Sequence, residues 1–135
     1  MSIIHFLSLE KLRPTESVAP RRVAKLKKKI QQEGVWTRPI CVEENDLFIM
    51  DGHHRFAVAK RLGLKLVPVL LLNYETTSVL SRKRKYKVSA SFVRSRAKKG
   101  FLYPLKNTCH IFPEGLSGCV VPLSKLHCSD ISVEH

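Results

Sequence analysis

Acidic side chains are scarce in this chain of 135 residues: 11 Asp and Glu stand against 24 Lys and Arg, a formal net charge of +13. The scarcity is local. Residues 81–99 hold nine basic residues and no acid, and the rest of the chain holds 15 basic and 11 acidic residues. Such a field attracts polyanions, whether nucleic acid, anionic lipid or nucleotide phosphates. A charge run is more often a solvated surface, so weak, non-specific nucleic-acid binding through residues 82–99 is the most it suggests. Long apolar runs are also missing. None reaches the roughly 18 residues of a membrane span, so no membrane-crossing segment is expected. The first residues lack a basic segment leading into an apolar stretch, so no secretory leader is expected and the location is read as cytoplasmic. Closely paired cysteines are absent as well. Cys41 sits in an apolar run and reads as a small buried hydrophobe. Cys109, Cys119 and Cys128, even with His110 and His127, match no standard zinc spacing, and all four read as reduced thiols. There is no internal repeat and no low-complexity linker. The length suits one domain, taken as residues 1–127 with a frayed tail at 128–135.

What is present alternates between short apolar runs and helical stripes. Residues 3–7 form an apolar run, expected to be the first strand. Residues 8–19 read as irregular. Pro20 suits the first position of a helix, and Val23, Leu26 and Ile30 follow at steps of three and four. Gly34 is a fitting stop. Residues 35–38 read as a loop, 39–42 as a strand, 43–46 as a turn and 47–50 as a second strand, so 39–50 reads as a hairpin. Residues 54–62 carry Phe56, Ala59 and Leu62 at helical spacing, with Gly63 as the stop. The nearly all-aliphatic stretch 67–72 fits a strand buried on both faces. The second half of 81–99 reads as helical up to Gly100. Residues 101–105 and 117–123 flank a loop containing Lys106-Asn107-Thr108-Cys109-His110. The fold class expected is α+β, a small mixed sheet flanked by helices.

The motif that carries chemistry is Asp51-Gly52-His53-His54-Arg55, where a strand opens into a helix. Gly52 permits a sharp turn and close ligand approach. The first N–H groups of a helix lack intrahelical partners and sit at the positive end of its dipole. His53, His54 and Arg55 add donors, and Arg can grip a phosphate through two parallel bonds. Gly52, His53, His54 and Arg55 are therefore the candidate phosphate-binding residues. Asp51 adds a carboxylate suited to Mg²⁺ or to orienting a histidine. The plainer alternative is that Asp51 caps the helix and the histidines lie on the surface.

The order Pro14-x-Glu16, a helix ending in Glu33-Gly34, Arg38-Pro39-Ile40-Cys41-Val42, the Asp51–Arg55 loop, Leu62-Gly63 and Val67-Pro68-Val69 resembles the ParB/sulfiredoxin superfamily. Sulfiredoxin carries its reactive Cys where this chain has His53, so that reaction lacks its nucleophile here. The double-histidine loop is similar to that of free L-serine kinases, which move a nucleotide's terminal phosphate to the serine hydroxyl. Lys106-x-Thr108-x-His110 stands in the pattern of their C-terminal element. The resemblance implies a nucleotide donor, ATP or ADP, with Mg²⁺ at Asp51 and free serine or a similar small hydroxy amino acid as acceptor. It implies Glu16 as the base, with Asp51 and His54 as further catalytic candidates. Lys106, Thr108 and His110 would hold the acceptor's carboxylate, or form an ordinary polar turn. Trp36 would wall the substrate pocket, or pack in the core. Two rival functions stay open: a ParB-like nucleotide-binding or DNA-binding regulatory module, and a ParB-like nuclease. No helix pair joined by a short Gly turn follows residue 72, which weighs against the regulator. No second acidic metal ligand is evident near Asp51, which weighs against the nuclease.

Overall fold

The computed structural model describes residues 4–73, 78–81, 89–99, 108–111 and 118–127. A four-stranded mixed sheet holds the centre. Its order is β1 (Ile4–Ser8), β5 (Leu66–Leu72), β3 (Ile40–Glu43), β4 (Ile49–Asp51), once β2 (Val35–Trp36) is set aside as part of a small separate ladder. Strand β5 runs antiparallel to β1 and parallel to β3, and β3 and β4 form the expected antiparallel hairpin. Beyond β4, Arg13 bridges Phe48: the Arg13 N–H donates to Leu47 O at 2.9 Å, and the Ile49 N–H donates to Arg13 O at 2.8 Å.

Side chains alternate across a strand, so each central strand feeds two cores. Ile40, Val42, Ile49, Val67 and Val69 face helices α1 (Pro20–Glu33) and α2 (His53–Leu62), meeting Val23, Ile30, Phe56, Val58 and Ala59. Cys41, Phe48, Met50 and Leu70 point the other way, onto Val93 and Ala97 of helix α3 (Ala90–Lys99). Burial on both faces explains why 67–72 is aliphatic without alternation. The α+β architecture of a small mixed sheet between helices is as expected.

Helix α1 begins at Pro20 and ends on Gly34, whose N–H donates to Ile30 O at 2.9 Å. Four boundaries depart from the sequence expectation. Residues 35–36 are not loop: Val35 and Trp36 pair with Pro122 and Val121 of β8 (Val121–Pro122), a partner far along the chain that local pattern cannot reveal. The regular part of β4 starts at Ile49 and includes Asp51. Helix α2 starts one residue early, at His53. Residues 108–111, expected in a loop, form β7 (Thr108–Ile111), antiparallel to β6 (Ser78–Ser81). A short helix α4 (Leu123–Leu126) follows β8. The expectations for residues 100–105 and for a frayed tail at 128–135 lie outside the described residues.

Candidate functional site

Gly52 joins β4 to α2 at φ +102°, a conformation that L side chains rarely adopt. A Cβ there would also press on Ile40, with backbone and side-chain atoms at 3.4 Å. The turn is thus reserved for glycine on two grounds. Gly52 O accepts the Phe56 N–H at 2.9 Å, which closes the first helical turn. The N-cap of this helix is Gly52, which has no side chain to cap with, and Asp51 is the exposed last residue of β4.

The two histidines reach backward, to the segment between the short 3-10 turn at Leu9–Lys11 and helix α1. His53 is buried at 8% exposure, and its Nε2 accepts the backbone N–H groups of Thr15 at 3.0 Å and Glu16 at 3.2 Å. The Thr15 hydroxyl lies 2.9 Å from the same nitrogen and 2.8 Å from Ile49 O, with one hydrogen for both. An amide can only donate, so Nε2 is the unprotonated nitrogen and the neutral ring carries its proton on Nδ1. His54 repeats the arrangement: its Nε2 accepts the Ala19 N–H at 3.1 Å. Glu16, itself buried at 8% exposure, is thereby held beside the first turn of α2.

Arg55, one residue on, is half-buried and lines a cavity of about 510 Å³ with Thr37, Arg38, Pro39, Asp51, Gly52 and Gly118. A second cavity, about 420 Å³, shares Thr37, Arg38 and Arg55 and adds Lys29 and Glu33 from α1. Burial pushes the Arg55 pKa down, and Arg38 pushes it the same way, while Asp51 and Glu33 oppose them. A guanidinium stays charged under these conditions. The direction therefore reports that burial and the neighbouring Arg38 outweigh the two carboxylates. A larger cavity of about 820 Å³ lies around Phe56, Lys60 and Leu64. Size does not make it the better candidate, because Arg55, Asp51 and Gly52 all lie elsewhere.

The structure thus gathers Asp51, Gly52, His53, His54, Arg55 and Glu16 into one neighbourhood. Trp36, expected as pocket wall or core, is 1% exposed within the core, and its indole N–H donates to Arg38 O at 2.6 Å. Its effect on the cavity is indirect, through the backbone that presents Arg38. Thr108 and His110 belong to β7, where His110 is in register with Val79, and Lys106 lies outside the described residues. Arg38, Lys29 and Thr15 were not singled out as site residues by sequence. Arg38-Pro39 and Thr15 stood inside quoted motifs, and that was the available signal. Lys29 was one of many lysines on α1. Cys41 is fully buried as expected, and burial, with Asp51 adding to it, pushes its thiol up to about 12.

Over 72 residues the chain is 39% identical to an ATP-dependent L-serine kinase of Staphylothermus marinus, a match covering 50% of this chain and 29% of that protein. It is 28% identical over 78 residues to the ADP-dependent L-serine kinase SerK of Thermococcus kodakarensis, covering 55% of this chain and 32% of that protein. The matched segment thus spans less than a third of either relative. Among solved structures, a free serine kinase in complex with AMP superposes with a TM-score of 0.79 at 16% identity, covering 91% of this chain and 93% of that chain, a likeness of fold. Residues 2–84 match the ParB N-terminal domain, and the chain belongs to that family.

Proposed function

We propose that this protein is a nucleotide-dependent kinase that phosphorylates the hydroxyl of free L-serine or a similar small hydroxy amino acid. The observation that carries this reading is that the backbone N–H of Glu16 is tied to the first turn of α2 through His53, and Arg55 follows on that same turn. The names of the matched relatives support the serine and nucleotide parts of the reading.

Phosphoryl transfer needs positioning and charge neutralisation more than covalent help from the protein. Arg55, Arg38 and the positive end of the α2 dipole supply positive charge for the terminal phosphate. Glu16 takes the proton of the serine hydroxyl as its oxygen bonds to the terminal phosphorus, and the bond from that phosphorus to the departing nucleotide breaks. The products are O-phosphoserine and a nucleotide shorter by one phosphate. Asp51 is exposed on the cavity wall, and among the described residues no group of three His, Cys, Asp or Glu gathers to hold a metal. One carboxylate fits Mg²⁺, which commonly takes one or two carboxylates and completes its shell with phosphate oxygens and water. When bound there, the ion would neutralise phosphate charge. ATP and ADP both remain donors under this reading, and Lys106, Thr108 and His110 remain the residues proposed for the acceptor's carboxylate.

The test is to incubate the protein with ATP or ADP and a pool of amino acids and to seek a new phosphorylated amino acid by mass spectrometry and ³¹P NMR. O-phosphoserine formed with one of the donors is the expected product. Tight nucleotide binding with no product from any hydroxy amino acid overturns the kinase reading in favour of a nucleotide-binding regulatory module.

A further inference from the structure

The doubled histidine of the Asp51–Arg55 loop sits where a phosphate ligand is expected, yet the Nε2 atom of each ring is engaged elsewhere. Both serve backbone N–H groups 35 to 38 positions earlier in the chain. We propose that His53 and His54 are positioning residues that fix Glu16, by accepting the Thr15, Glu16 and Ala19 N–H groups at Nε2, rather than phosphate ligands through those atoms.

The argument starts from the segment they hold. Residues 12–19 lie in neither an α-helix nor a regular strand. Thr15 is fully buried and Glu16 nearly so, and buried N–H groups need partners. Regular structure would supply carbonyl oxygens. Here one imidazole nitrogen supplies the acceptor for two consecutive amides. Upstream, Arg13 is bonded in both directions to the 47–49 segment, and the Thr15 hydroxyl adds Ile49 O. Downstream, His54 holds Ala19 immediately before α1 begins. Glu16 is therefore pinned from both sides, and both histidine tethers come from the first turn of α2. Because those rings belong to the turn that follows Gly52, the backbone that carries Glu16 is fixed to the turn that carries Arg55. A base must stand within hydrogen-bond reach of the proton it takes, and a displacement of about 1 Å can cost roughly 10²-fold in rate. The histidines thus act on the reaction through Glu16.

This inference rests on the proposed kinase reading for its catalytic consequence, but the tether itself can be tested without turnover. The side-chain oxygen of glutamine reaches about as far as Nε2 of histidine, and that of asparagine about as far as Nδ1. The full chain is prepared with His53→Gln, His53→Asn and His53→Ala, and with the same three changes at His54. Amide hydrogen exchange at Thr15, Glu16 and Ala19 is read by NMR, nucleotide affinity by calorimetry and turnover by product formation. At position 53, Gln should preserve slow exchange at Thr15 and Glu16, while Asn and Ala lose it; at position 54 the same should hold for Ala19. Nucleotide affinity should stay within a few-fold throughout, while kcat falls roughly 10²-fold in the Asn and Ala variants and recovers with Gln. Unchanged exchange in the folded Asn variants overturns the tether. Rescue of nucleotide affinity by Asn but not by Gln overturns it in favour of phosphate binding. The expected exchange pattern with no turnover in any form, wild type included, upholds the tether and removes the kinase reading instead.

Discussion

Arg94 reaches across 51 positions of sequence to Glu43, its NH2 nitrogen 3.2 Å from a carboxylate oxygen that is 1% exposed. The same guanidinium meets Asp46 at 2.7 Å, and Lys98 lies 3.8 Å from Asp46. Glu43 meanwhile accepts the Asn45 N–H at 2.9 Å and the Asp46 N–H, closing the turn of the β3–β4 hairpin. Two cations of the acid-free stretch 81–99 are thus spent on docking α3 to the sheet. Arg94→Met removes the charge that offsets a buried carboxylate but leaves its two backbone donors. We expect a loss of about 1–3 kcal/mol by urea denaturation, the range for an unmatched buried polar partner. Glu43→Gln in the same background should recover part of that loss. No loss in Arg94→Met would show that the pair contributes nothing.

Arg55 concentrates the positive charge of the candidate cavity. Arg55→Ala should weaken nucleotide binding by roughly 1.5–3 kcal/mol, as expected for loss of a charge-assisted bond. Arg55→Lys should recover only part of it, since a point charge cannot grip two phosphate oxygens in parallel. Calorimetry giving wild-type affinity in Arg55→Ala would remove this residue from the nucleotide site.

Glu16→Gln keeps the shape of the side chain and removes its basicity. Turnover should drop by roughly 10²–10⁴-fold, the usual loss for a general base, with nucleotide affinity nearly unchanged. Near-normal turnover would take Glu16 out of the mechanism. A parallel fall in affinity would recast it as part of the binding site.

Cys41 makes a prediction about pH. Its folded-state pKa, about 12, lies above the ordinary thiol value of about 8.5. The unfolded chain therefore loses this proton first as pH rises. The stability that the neutral buried thiol contributes is complete below that ordinary value and is lost as pH climbs toward 12. Stability measured between pH 8 and 11 should fall less steeply in Cys41→Ala than in the wild type. Equal slopes would show that the thiol does not titrate with unfolding. The native protein should also leave Cys41 unreactive toward thiol reagents at neutral pH.

Much of this molecule was legible in its residues because the deciding signals are local. Pro20 and Gly34 bound α1, the turn at 43–46 marks the hairpin, and Asp51–Arg55 marks the loop between strand and helix. What stayed hidden depends on partners far along the chain. Trp36 reads equally as pocket wall or core until Val121 is known to pair with it. The histidines read as outward donors because nothing near them announces that the amides of residues 15, 16 and 19 lie behind. The charge run at 81–99 reads as free surface until Glu43 and Asp46 are found opposite Arg94 and Lys98.

Strand β5 has a consequence for how the chain comes together during synthesis. Among the described residues it is the sole sheet neighbour of β1 and the inner neighbour of β3, so the hairpin 40–51 and the first strand have no edge in common without it. A nascent chain that has emerged only as far as Arg55 already contains the whole Asp51–Arg55 loop and Glu16, yet lacks the strand that joins the sheet's two halves. The pairing of Ile4 with Leu70 closes a long loop, and such distant contacts slow folding. Until Leu72 clears the ribosome, β1 and β3 lack the strand that lies between them, and unpaired strand edges of this kind favour aggregation.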